Sequence, residues 1–195
     1  LMRAFEEETA IEREAGAVAD LDTTEAYLGR QPIVDRNGAL VGYELLYRDD
    51  EARGTDLAAT ARVIINLLNG VGFAEALGQF RASINVNAEF LLSDMVEVLA
   101  PGRMVLEIFE TVHATPGLVA RIAALRARGF SFALDDFTRP TPENLPLLEL
   151  FDFIKVDIEQ VPADGLAALV RTLRRWNATL LAEKVEDPAT YQRCR

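Results

Sequence analysis

The chain of 195 residues holds one cysteine, one histidine and one tryptophan. With Cys194 alone, no intramolecular disulfide can form, and the absence fits a reducing, cytoplasmic setting. With His113 alone and no cysteine cluster, a zinc centre lacks its usual ligands. No apolar run approaches the roughly 18–20 residues of a membrane span, and the acidic N-terminus does not resemble a signal segment. Basic excess is missing as well: the formal net charge is -11. DNA and other nucleic acids need a basic footprint, so they are not expected partners, and neither is a membrane. No low-complexity linker or internal repeat divides the chain. What remains is 50% hydrophobic, enough for one sizeable core.

Residues 1–26 carry eight carboxylates against two arginines. This segment reads as an acidic arm or solvated helix outside the main fold, which then occupies residues 27–195. From Tyr27 onward, short β-rich runs alternate with helical patterns. The runs are YLGRQPIVD (27–35), ALVGYELLYR (39–48), RASINVN (81–87), MVLEIFE (104–110), FSFALDDF (130–137), FDFIKVD (151–157) and ATLLAEKV (178–185). Helices are expected over DLAATARVIINLLNGV, AEFLLSDMVEVLA, PGLVARIAALRARG and ADGLAALVRTLRRW, the third stopped by Gly129. The RNG at 36–38 reads as a tight hairpin turn joining the first two strands. A hairpin followed by alternating strands and helices implies an α/β fold with a mainly parallel sheet. Seven strands suit either an open sheet or a barrel that stops short of its eighth.

Nearly every strand ends in groups that could ligate a metal or hold a phosphate, as the C-terminal face of an α/β barrel does. Glu44 shares a face with Leu46 and Arg48, and Asn85 lies in the third strand. Glu107 interrupts an apolar run, with Glu110 near its end. Asp135 and Asp136 close the fifth strand, Lys155 and Asp157 share a face of the sixth, and Glu183 sits in the seventh. One carboxylate in a strand is ordinarily a solvent-facing residue. So many at successive strand ends would each cost several kcal/mol to bury without cations. Carboxylates with an amide oxygen suit a hard divalent cation, Mg²⁺ or Mn²⁺. In a regular strand Asp135 and Asp136 point to opposite faces, so they can share a site only if the strand ends or bulges by Asp136.

These segments resemble the EAL domains, which hydrolyse the bacterial second messenger cyclic di-GMP. GRQPIVD, GYELLYR, SINVN, LEIFE, ALDDF, IKVD and AEKVE stand in the order of that family's motifs, with Leu45 in place of the signature alanine. YELLYR, LEIFE and LLAEKVE are similar to a subgroup in which such a domain precedes a helical HDOD module. The resemblance implies a TIM-like (β/α) barrel of EAL type with an opening antiparallel hairpin, incomplete at the C-terminus. It implies two ions, Mg²⁺ or Mn²⁺, the first on Glu44, Asn85, Glu107 and Asp135, the second on Asp136 with Asp135 bridging. Lys155 would position the attacking water, and Glu183 would act on it as base or outer ligand. Arg48 would contact a substrate phosphate, with Leu46 and Asp157 beside the substrate and Glu110 and Glu186 in support. The product would be linear pGpG. A homodimer and a downstream HDOD domain are the implied protein partners.

Three departures from the family pattern set the expected activity low. The loop after Asp136, TRPTPENLP, has threonine and prolines where the family has glycine and small residues, and Thr138 takes positive φ less cheaply than glycine. The family's last strand is missing, which leaves unpaired edges on the first and seventh strands. Lys184 replaces a glycine beside Glu183 and is expected to point to the opposite face. The expected function is weak two-metal hydrolysis of cyclic di-GMP, the alternatives being a non-catalytic receptor or a scaffold that regulates a downstream module. His113 reads as a loop residue and Trp176 as a packing residue.

Overall fold

A computed structural model describes residues 3–4, 27–48 and 77–195, and the account below concerns those residues. The helix expected over residues 56–71 and the arm over residues 5–26 lie outside them. Eight strands form one sheet in chain order: β1 (Arg3–Ala4), β2 (Tyr27–Val34), β3 (Leu40–Arg48), β4 (Arg81–Asn85), β5 (Met104–Phe109), β6 (Ser131–Phe137), β7 (Phe153–Asp157) and β8 (Thr179–Glu183). The described helices are α1 (Ala88–Leu92), a 3₁₀ turn over Asp94–Val98, α2 (Pro116–Ala127), α3 (Leu145–Leu148), α4 (Leu166–Leu173) and α5 (Pro188–Cys194).

β1, β2 and β3 pair antiparallel, and every later neighbour is parallel. The hairpin between β2 and β3 closes where expected. Asp35 Oδ1 accepts from Asn37 N at 2.8 Å and Ala39 N at 2.9 Å, and Gly38 takes a φ of 83°. β1 corrects part of the expectation for the leader. Arg3 and Ala4 belong to the sheet, opposite Val34 and Ile33, and β1 also lies beside β8. Part of the edge of β2 is therefore paired. The Tyr191 hydroxyl of α5 donates to the Arg36 carbonyl at 2.9 Å, tying the last helix to the first hairpin. The sheet is a curled, incomplete barrel.

Helix α2 shows why the apolar spacing works. Thr115 caps its first turn by accepting from Leu118 N, Leu118, Ile122 and Leu125 face inward, and Gly129 (φ 97°) follows its end. The pattern over residues 88–100 was expected to be one helix, but it breaks at Ser93. There the Ser93 hydroxyl donates to the Phe90 carbonyl and accepts from Met95 N, and the extended Ser93 backbone starts the 3₁₀ turn. Helices α3 and α5 were not expected. The core packs Phe132, Phe137, Ile154, Leu106 and Ile84 against Leu118, Ile122 and Leu173, all fully buried or nearly so. That layer supports the C-terminal strand ends, where the polar residues gather.

Candidate metal and phosphate site

The register of the parallel strands lines up the polar side chains. Glu44 stands opposite Ser83, Asn85 opposite Glu107, Phe109 opposite Asp135, and Asp157 opposite Glu183. At the centre is Lys155, only 1% exposed although it is a lysine. Its Nζ lies 2.6 Å from Asp135 Oδ1, 2.8 Å from Glu107 Oε2, 2.9 Å from Glu183 Oε1 and 3.1 Å from Glu44 Oε2. One ammonium thus holds carboxylates from four different strands.

Burial works against the Lys155 charge, but Glu107, Glu44, Asp135 and Glu183 outweigh it and hold the pKa well above its usual value. The carboxyls show the opposite balance. Burial, with the Glu44 and Asp135 charges, pushes Glu107 well above the ordinary range despite Lys155. Burial pushes Glu183 up to about 8, with Asp135 adding to the effect and Lys155 opposing it. A single cation does not balance four carboxylates in this setting, so Glu107 and Glu183 are pushed toward their protonated forms. Glu107 Oε1 and Glu183 Oε2 are buried without hydrogen-bond partners. Among the described residues no group of three or more His, Cys, Asp or Glu is arranged to hold a metal ion as it stands. The ammonium, rather than a gap, is what the carboxylates gather on. Orphaned carboxylate oxygens, excess negative charge and an all-oxygen donor set fit a hard divalent cation.

Asp136 answers the question of the adjacent aspartates. It has a φ of 52°, and the β6–β7 register shifts between Leu134 and Phe137. The strand bulges at Asp136, which frees its side chain from strict alternation. The left-handed residue is Asp136 itself, not Thr138. Downstream, Thr138 N donates to Glu110 Oε2 at 3.0 Å and its hydroxyl bonds the same carboxylate. Thr141 and Asn144 then cap each other, Thr141 N to Asn144 Oδ1 at 2.8 Å. Asn144 is buried and had not been singled out; its T-x-x-N spacing was the available signal.

Asp157 does not stand open beside a substrate. It is fully buried; its Oδ1 accepts from Glu159 N and Gln160 N, and its Oδ2 from Gln160 Nε2 at 2.6 Å. The Lys184 ammonium pairs with the same Oδ2. This corrects the expectation that Lys184 faces away: its φ of 57° turns the side chain out of strand alternation. Gln160 was missed; Asp157 followed at three residues by a glutamine marks the turn. Leu46 is half-buried in β3 opposite Gly29. Arg48 is placed by its backbone opposite Tyr27, and its side chain lies outside the described residues. Asn85 ends β4 and is half-buried, and Glu186 is exposed just before α5. His113 is an exposed loop residue, and Trp176 packs partly buried on the core.

The EAL domain family model matches residues 19–195. The chain belongs to this family. This EAL domain is 32% identical over 175 residues to the uncharacterized protein YuxH of Bacillus subtilis, covering 85% of the chain and 42% of that protein. It is 30% identical to the cyclic di-GMP phosphodiesterase CdgJ of Vibrio cholerae, covering 87% of the chain and 40% of that protein. The chain therefore spans well under half the length of these relatives. Among solved structures, it superposes on the Bacillus subtilis YkuI protein, crystallised with cyclic di-GMP and calcium, with a TM-score of 0.69 at 22% identity over 89% of this chain and 51% of YkuI. It superposes on the EAL domain of Mycobacterium smegmatis DcpA with a TM-score of 0.66 at 22% identity, covering 86% of this chain and 85% of that one. At these identities the likeness shows the EAL barrel fold, and the domain resembles cyclic di-GMP phosphodiesterases. No described helix is long and apolar enough to cross a membrane.

Proposed function

We propose that this EAL domain binds cyclic di-GMP at the strand ends and hydrolyses it slowly to pGpG in the cytoplasm, with Mg²⁺ or Mn²⁺ as cofactor. The observation that carries this reading is the Lys155 ammonium bonded to Glu44, Glu107, Asp135 and Glu183. A solvated scaffold has no reason to bury so much charge on one face.

Glu44, Asn85, Glu107 and Asp135 would hold a divalent cation, which when bound supplies Lewis-acid activation of water and phosphate. The side chains of the chain do the rest. Lys155 orients the carboxylates and offers its ammonium to a phosphate oxygen as negative charge develops there. Glu183, with its carboxyl at about 8, exchanges a proton with water near neutral pH, as a general base must. Arg48 is the last residue of β3 and, by the family resemblance, would take a phosphate of the dinucleotide. The loop held by Glu110 and Asn144 sets the rim beside Asp136.

A receptor without useful turnover is the second reading. It is favoured by the Lys184–Asp157 pair, an internal cation that ties up the carboxylate at the end of β7. In either case the full-length protein would couple the site to a neighbouring module, an HDOD domain by the subgroup resemblance, or to a second copy of itself. The test is chromatographic detection of pGpG from cyclic di-GMP and Mn²⁺, with Glu183→Gln alongside. Slow product formation abolished by Glu183→Gln supports hydrolysis. Binding with no product from the wild type leaves the receptor.

A further inference from the structure

Arg139 lies outside the Lys155 cluster, in the loop from β6 to α3, where the chain has just left the C-terminal ends of the strands. Its neighbours pin the backbone on both sides. Before it, Thr138 N donates to Glu110 Oε2 at 3.0 Å, and Glu110 N donates in turn to the Asp135 carbonyl at 3.1 Å. The loop therefore starts from the end of the site itself. After it, the Arg139 carbonyl accepts from Asn144 Nδ2 at 3.3 Å, and the buried Asn144 also accepts from Thr141 N at 2.8 Å. Pro140 and Pro142 fix φ at two further positions. The loop is a rim whose backbone is held before any ligand arrives.

The side chain is the opposite case. Arg139 is exposed, and its guanidinium makes no hydrogen bond or ion pair among the described residues. Lys155 and Lys184, by contrast, are engaged by carboxylates of the strand ends. An arginine that supports nothing in the fold, on a backbone held by a buried asparagine and two prolines, is placed to meet something outside the chain. The surrounding charges select what that is. Glu110, Asp136 and Glu143 flank it in a chain of net charge -11, so a further phosphate would meet repulsion there as well as attraction. A guanine is uncharged and presents O6 and N7 as paired acceptors, which a guanidinium fork matches.

We infer that Arg139 reads a guanine of the bound cyclic dinucleotide, its guanidinium donating to O6 and N7, and so determines base specificity at the rim of the site. The inference rests on the proposed function and adds to it the basis for preferring guanine. Adenine offers N7 but carries an amino group in place of O6, which cannot accept from the second arm of the fork.

Calorimetric titration of cyclic di-GMP with excess Mg²⁺ into the wild type, Arg139→Ala and Arg139→Lys, with a thermal melt of each, tests this. Arg139→Ala should bind about tenfold more weakly, the loss of one bidentate contact to a base. Its melting temperature should not change, because no group of the protein loses a partner. Arg139→Lys should be as weak as Arg139→Ala, since an ammonium has no fork. Equal affinity of the wild type and Arg139→Ala would overturn the inference and leave the proposed site standing. Affinity restored in Arg139→Lys would overturn it too, because a point charge serves a phosphate rather than paired acceptors. A lower melting temperature in Arg139→Ala would assign the side chain to the fold instead. No binding by the folded wild type would overturn the proposed ligand and the inference together.

Discussion

Replacing Lys155 by methionine keeps most of the side-chain volume and removes the ammonium. Glu44, Glu107, Asp135 and Glu183 then lose the cation that lies 2.6–3.1 Å from each of them. Removing one member of a buried ion pair costs about 3–5 kcal/mol, because the remaining charge stays buried. Against a total stability of about 5–15 kcal/mol, that is a large share. In a domain of this length each kcal/mol moves the Tm by about 2–4 °C, so the fall should be roughly 10 °C. The loss must also depend on pH. Glu183 stands at about 8 in the folded chain against an ordinary 4.5. Between those values the folded chain holds a proton that the unfolded chain releases, so this contribution to stability declines as pH rises from about 4.5 to about 8. Without Lys155, which holds them down, Glu107 and Glu183 climb further. The deficit of the variant should therefore be smaller near about pH 5, where Glu183 is protonated, than above about pH 8. Thermal melts in chelator, followed by far-UV circular dichroism at both pH values, measure it. An unchanged Tm at the higher pH, or an equal deficit at both, would refute the electrostatic account.

Cation binding should release protons near neutral pH, because burial pushes the Glu107 and Glu183 carboxyls above the usual carboxylate range; Mn²⁺ titrations in two buffers of different ionisation enthalpy would show it, and equal heats in both buffers would count against it. Glu110→Ala removes the acceptor for Thr138 N, which should cost about 1–2 kcal/mol and speed hydrogen exchange at that amide, with little change at the Thr141–Asn144 cap. Phe132→Ala opens the core beneath β6, where Phe132 is fully buried against Phe151, and should lower stability by about 3–5 kcal/mol in a denaturant titration.

The strands were legible because each is a short apolar run bounded by turn residues, and the alternation with helices fixed their parallel pairing. The polar residues at the strand ends were legible because a carboxylate inside LEIF or FALD has no packing role. Three things were hidden. The break at Ser93 depends on a hydroxyl competing for backbone partners, which apolar spacing does not report. Lys184 was assigned to the outer face by assuming extended backbone, and a single left-handed residue reverses that assignment. Asp157 looked like a substrate contact because it shares a face with Lys155, yet the turn at Glu159 and Gln160 uses its oxygens. One of these failures comes from a local φ, and two from hydrogen bonds within four residues. The short strand Arg3–Ala4 was invisible for another reason: two residues carry no period.

The central claim is that this carboxylate face is a cation-dependent site for cyclic di-GMP. Calorimetric titration of cyclic di-GMP into the protein with excess Mg²⁺, with Glu44→Ala as the control, tests it most directly. Micromolar binding that is lost in Glu44→Ala and in chelator is the predicted result. No heat at high protein concentration, or binding unaffected by Glu44→Ala, would contradict it.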